Sequence, residues 1–152
     1  MDPHYYHVNV AWQSDRKGVM CVPEVASYHP ASPGCMEVAT PPEFPKGMPG
    51  IWSPEHLFTA AVSSCLMTTF LAIAESSKLD FISFECSSEG KLEQGDHGLM
   101  MTEVILKPVV VIRVAADTER AMKVLEKSER NCLISNSVKA KILMVPVIQI
   151  AA

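Results

Sequence analysis

The chain has 152 residues, 48% hydrophobic and 20% charged, enough to bury the core of one ordinary globular domain over residues 1–152. Its formal net charge is −4 and its lysines and arginines are scattered, so the basic surface that DNA or RNA binding requires is missing. Five cysteines at irregular spacing (Cys21, Cys35, Cys65, Cys86, Cys132) do not describe a secreted disulfide framework, and the N-terminus MDPHYYHVNVAW does not read as a secretory signal; a cytoplasmic location with mostly free thiols is the expectation.

Residues 7–12 (HVNVAW) alternate apolar and polar as a half-buried strand does. VMCV at 19–22 follows the turn-like Ser14-Asp15-Arg16-Lys17-Gly18, so the chain opens with a hairpin. A third strand is expected over 35–39. Seven of the eleven prolines fall between Pro30 and Pro54, a stretch that can neither pair as a central strand nor continue a helix, and it reads as a long ordered loop.

Ser53-Pro54-Glu55 then supplies an N-cap, a first-turn proline and a first-turn acid. From Leu57 to Ala74 no residue is charged, and apolar side chains fall on nearly every face, as in a helix enclosed by protein. The run approaches the roughly 20 apolar residues of a membrane span, but Thr59, Ser63, Ser64, Thr68 and Thr69 dilute it. A central helix buried by its own sheet and by a second subunit is the expectation, which predicts an extensive homodimer interface and no membrane.

Farther on, Ile82, Phe84, Cys86, Ser88, Gly90 and Leu92 alternate with polar residues as one face of a half-exposed strand. Gln94 to Gly98 has hairpin-loop chemistry, and Leu99 to Val114 supplies a return strand interrupted near Pro108. Asp117 can cap a helix to about Glu129 with Ala121, Val124, Leu125 and Ser128 facing inward, and a last strand runs from Ile142 to Ile150. The fold class is α+β: antiparallel strands packed on a long buried helix and a second, amphipathic one.

Cys65 stands mid-helix, where a free cysteine ordinarily serves as a small core residue. Cys132 stands in a polar, turn-like setting, Arg130-Asn131-Cys132, that is less usual for packing. Cys21 and Cys86 read as packing residues, and Cys35 as exposed and oxidisable. The histidines (His4, His7, His29, His56, His97) form no ligand spacing with the cysteines, so no metal is expected.

The stretch SPEHLFTAAVSSC, from Ser53 to Cys65, followed by Cys132-Leu133-Ile134-Ser135-Asn136, resembles the two cysteine motifs of the OsmC/Ohr family, the osmotically inducible and organic hydroperoxide resistance proteins. The resemblance covers essentially the whole chain. It implies an OsmC-like fold, with antiparallel sheets around the central helix in an intertwined homodimer. It further implies that Cys65 is the peroxidatic cysteine, Cys132 the resolving one, Glu55 the motif glutamate and Arg16 the motif arginine. The activity implied is thiol-dependent reduction of hydroperoxides, organic in preference to hydrogen peroxide, with no bound cofactor and an external dithiol of lipoyl type as reductant.

The chemistry needs these residue types. A thiolate attacks the peroxide bond, and a free thiol with a pKa of about 8.5 is mostly protonated at neutral pH. A guanidinium beside Cys65, oriented by a two-pronged pair with Glu55, would favour the anion; Cys65 sulfenic acid would then condense with Cys132. Glu55 and Cys65, ten residues apart, lie about 15 Å apart along an unbroken helix and about 80° around it. Either the helix breaks near its start or each site takes Glu55 from one subunit and Cys65 from the other; the uncharged helix favours the shared site. Leu133 and Ile134 replace the family's more polar, proline-containing continuation, and the arginine turn lacks the usual paired glycines, departures that bear on substrate more than on the thiols. Two other readings stay open: disulfide exchange or detoxification of another electrophile at the same pair, and a non-catalytic, stress-related small-molecule binder.

Overall fold

The opening hairpin consists of β1 (Asn9–Ser14) and β2 (Lys17–Cys21), joined through Asp15 and Arg16, with Asp15 at a left-handed φ of 45°. The computed structural model describes residues 1–28 and 34–152; the predicted loop prolines Pro30 and Pro33, with His29, lie outside the described residues. A short helix, α1 (Pro23–Tyr28), follows β2 and is not foreseen by the alternation pattern. Then β3 (Cys35–Ala39) pairs antiparallel with β2, giving a sheet in the order β1-β2-β3.

In this register Cys21 lies directly opposite Cys35, their Cα atoms 4.0 Å apart, and the two form a disulfide. The expectation of a packing Cys21 is corrected, while Cys35 is exposed as expected and is oxidised in this bond. Strand register, rather than spacing along the chain, brings the two sulfurs together. The proline-rich segment after β3 is ordered by its own backbone: Met48 N–H donates to Thr40 O and Gly47 N–H to Phe44 O, both at 2.9 Å. A Cβ at Gly47 would sit 2.0 Å from the Pro41 carbonyl oxygen, so glycine is required for that approach. These elements make up one compact unit, Met1–Pro54; Glu55–Ala152 form a second.

The helix α2 (Pro54–Ser76) starts where the Ser-Pro-Glu signal predicts. It is long and apolar enough to cross a membrane by length and composition alone. Within the single chain it buries one stripe, Val62, Leu66, Phe70 and Ala74, each one turn from the next, while Met67 and Leu71 remain 39% and 43% exposed. Burial on nearly every face is therefore not reached by one chain alone.

The stripe packs on a sheet whose spine is the long hairpin β4 (Phe81–Gly95) and β5 (Gly98–Ile112). A register shift between Phe81 and Ser83 turns Phe81 into the core and leaves Ile82 46% exposed, reversing the face that strict alternation assigns to Ile82. After β5 comes α3 (Thr118–Arg130), which buries Ala121, Val124, Leu125 and Ser128 as its spacing predicts. Asp117 takes the N-cap position without a side-chain capping bond; its carboxylate lies 3.4 Å from Arg120 instead.

The last strand is two strands, β6 (Lys141–Met144) and β7 (Val147–Ile150), and both run parallel to β5, so the sheet is mixed rather than wholly antiparallel. The helical crossover through α3 makes the parallel return possible. Pro108 does not interrupt β5. Pro108 stays in register with Cys86 of β4, and on the opposite side pairing with β6 ends at Leu106 and pairing with β7 begins at Val109, so the proline falls in the gap between the two parallel strands. Phe70, Ala74, Leu79, Val110, Ile112, Ala121, Val124 and Leu125 form one cluster that ties both helices to this sheet.

Candidate active site

Packing of the α2 stripe sets the rotation of the helix and leaves Cys65 half-buried on its flank. Cys132 comes just past the end of α3. The helix is closed there by Asn131, whose backbone and side-chain N–H groups both donate to Lys127 O, at 3.1 and 2.7 Å. The chain then folds into a turn: Asn136 N–H donates to Cys132 O at 3.1 Å, Ser137 N–H to Ile134 O at 2.9 Å and Ser137 Oγ to Leu133 O at 2.7 Å. Cys132 is fully buried, and this turn lays its backbone on Cys65, with Ile134 N–H donating to Cys65 Sγ at 3.5 Å.

The two thiols influence each other, and their environments push their pKa values in opposite directions. Burial opposes ionisation of Cys65. Hydrogen bonds from Cys132, the Ile134 N–H, the Thr69 hydroxyl and the Leu133 N–H outweigh it and hold that thiol below its ordinary pKa. Burial, then the adjacent Cys65 sulfur, push Cys132 up, against smaller opposing bonds from Ser135. Of the two, Cys65 is the thiol whose surroundings favour the anion and Cys132 the one whose surroundings oppose it.

Glu55 stands in the first turn of α2 with its Oε2 buried and without a hydrogen-bond partner among the described residues. Because α2 runs unbroken from Pro54 to Ser76, Glu55 and Cys65 are not brought together within this unit, and the expected alternative of a break near the helix start is not seen. Arg16 lies exposed in the β1–β2 turn, its carbonyl accepting the Thr40 N–H at 3.1 Å, and with Asp15, Lys46 and Met48 it lines a surface cavity of about 560 Å³. Cys86 packs against the Val62 and Leu66 cluster, as expected of a core cysteine.

Three contributors have no counterpart among the residues singled out from the sequence. Thr69 sits one helical turn beyond Cys65, a spacing from which its contact could have been foreseen. The backbone N–H groups of Leu133 and Ile134 carry no side-chain signature at all.

Residues 47–145 match the family model described as OsmC-like protein, and the chain belongs to that family. An uncharacterised protein of Bacillus subtilis, YmaD, is 24% identical over 151 residues, spanning 93% of this chain and 91% of its own. Among solved structures, an OsmC-like protein of unknown function from Vibrio cholerae superposes with a TM-score of 0.83 at 22% identity, covering 95% of this chain and all of the other. An organic hydroperoxide resistance protein from Elizabethkingia anophelis superposes at 0.73 with 19% identity, covering 99% of each chain. The fold is the α+β OsmC-like fold, shared with proteins of organic hydroperoxide resistance.

Proposed function

We propose that this protein is a thiol-dependent peroxidase that reduces organic hydroperoxides. The observation that carries the reading is the thiol pair: half-buried Cys65, whose Sγ receives the Ile134 N–H at 3.5 Å, has its pKa lowered beside a fully buried Cys132 whose pKa is raised. That is the asymmetry a nucleophile and its resolving partner need.

The Cys65 thiolate attacks one oxygen of ROOH, the O–O bond breaks, and the departing alkoxide takes a proton to leave as alcohol. Cys65 becomes a sulfenic acid. Cys132 then attacks that sulfur, water leaves and a Cys65–Cys132 disulfide forms. An external dithiol, of lipoyl type in this reading, reduces the disulfide and is itself oxidised to a disulfide; no bound cofactor is required.

In the same reading the protein works in the cytoplasm as an intertwined homodimer. The exposed Met67 and Leu71 on α2, and separately Val10 and Trp12 at 66% and 78% exposure along the first strand, are apolar surface that a second copy would cover. Arg16 and Glu55 complete the site, with Glu55 and Cys65 drawn from different subunits; the buried Glu55 Oε2, without a hydrogen-bond partner among the described residues, is where a guanidinium would be received.

Steady-state peroxidase assays of wild type, Cys65→Ser and Cys132→Ser, with an alkyl hydroperoxide, hydrogen peroxide and several dithiols, test the proposal. Turnover is expected to vanish in Cys65→Ser and to stop after one oxidation in Cys132→Ser. Full activity in Cys65→Ser would end it.

A further inference from the structure

We propose that the backbone turn Cys132–Asn136 is part of the machinery that activates Cys65, its Ile134 N–H serving as a fixed, uncharged donor to the reacting sulfur. The inference rests on the reading of Cys65 as the reactive thiol, but not on the identity of the peroxide.

The geometry is that of a preset dipole. Carbonyl groups of Cys132, Leu133 and Ile134 are each engaged inside the turn, by Asn136 N–H, Ser137 Oγ and Ser137 N–H. Asn136 Nδ2 adds a bond to Arg130 O at 3.2 Å, anchoring the turn to the end of α3. The Ile134 N–H, by contrast, is directed out of the turn, to Cys65 Sγ at 3.5 Å. A donor held this way needs no reorganisation when charge develops on the sulfur, and that is the condition under which such dipoles stabilise an anion most.

The other groups facing Cys65 are the Cys132 thiol and the Leu133 N–H from the turn, and the Thr69 hydroxyl from α2; none of its principal influences is a charged side chain. The turn therefore does two things with one piece of backbone. It carries the resolving sulfur, and it aims a donor at the sulfur to be resolved. A guanidinium from Arg16 would act on a sulfur already biased toward the anion.

Proline at 134 removes this donor. Ile134 has φ −70°, within the range that the proline ring imposes, so Ile134→Pro deletes the N–H at a compatible backbone angle, and Ile134→Ala removes the same side chain while keeping the N–H. Alkylation of Cys65 by iodoacetamide, followed across pH by peptide mass, is the readout. Ile134→Pro is expected to shift the half-reaction point upward and to slow alkylation at neutral pH about tenfold, the loss of one hydrogen bond to a charged group. Ile134→Ala should follow wild type. Equal profiles for the two variants would overturn the proposal.

A second measurement needs no change in the turn. In wild-type protein labelled with nitrogen-15, the Ile134 amide proton should move downfield with the same midpoint as Cys65 ionisation, and should not do so in Cys65→Ser. An Ile134 amide that ignores Cys65 would also refute the inference. Neither readout uses peroxide. A protein with these titrations intact and no hydroperoxide turnover would sink the peroxidase reading and leave this one standing.

Discussion

Phe70 is the side chain through which core packing reaches the thiols. It is fully buried, and its ring meets Phe81 edge-on at 5.1 Å and Phe84 at a tilt at 4.9 Å. It belongs to the cluster that also holds Val124 and Leu125 of α3, so it helps fix α2, which carries Cys65, against the helix that leads into Cys132. Replacing a buried phenylalanine by alanine costs about 3–5 kcal/mol, and each aromatic pair adds about 0.5–1.5 kcal/mol beyond area. With two such pairs, Phe70→Ala should fall in the upper part of that range, about 4–5 kcal/mol. That is about a quarter or more of the stability of an ordinary domain. Phe70→Leu keeps most of the volume and should cost far less, about 1–2 kcal/mol. Urea unfolding measures both; at a slope of about 2 kcal/mol per molar, the alanine variant should unfold about 2 M earlier with the slope unchanged. Peroxide-driven formation of the Cys65–Cys132 disulfide should slow in Phe70→Ala, because the two helices lose their shared anchor. A cost below about 2 kcal/mol, set against the usual range for such truncations, or equal costs for leucine and alanine, would refute the packing argument.

Three further outcomes follow from the geometry. In Cys132→Ala, Cys65 loses a donor that lowers its pKa, so its alkylation midpoint should move to higher pH and its rate at neutral pH should drop by about tenfold, with sulfenic acid rather than disulfide forming on oxidation; an unchanged midpoint would deny the hydrogen bond its role. The Cys21–Cys35 disulfide closes a loop with a sequence separation of 14, so Cys35→Ser should lower stability by about 3 kcal/mol, and excess reductant should lower wild type by a similar amount, both read as thermal midpoints. A Cβ at Gly90 would lie 2.1 Å from Thr59 Oγ1 and 2.7 Å from Met101 Cε, so Gly90→Val should cost about 1–3 kcal/mol by overpacking, measured by chemical denaturation.

Local patterns made much of this molecule legible from its sequence. The Ser-Pro-Glu start of α2 and the inward face of α3 at Ala121, Val124, Leu125 and Ser128 are written in neighbouring residues, because helix caps and helical periodicity act over one or two turns. The two cysteine motifs likewise pointed to Cys65 and Cys132. Pairings between distant segments were another matter. The Cys21–Cys35 bond, the parallel placement of β6 and β7, the gap that accommodates Pro108 and the bulge that exposes Ile82 all depend on register, which is settled by many weak contacts at once.

The same division runs through the candidate site. The sequence by itself determined which thiols are present and that a helix of Glu55 and Cys65 cannot, unbroken, bring the two together. Only the tertiary structure decided that Cys132 lies beside Cys65, that one thiol's pKa is pushed down and the other's up, and that the Ile134 N–H lies on the Cys65 sulfur. The reason is physical: every residue but proline carries a backbone N–H, so the letters of a sequence do not mark the donor that folding aims.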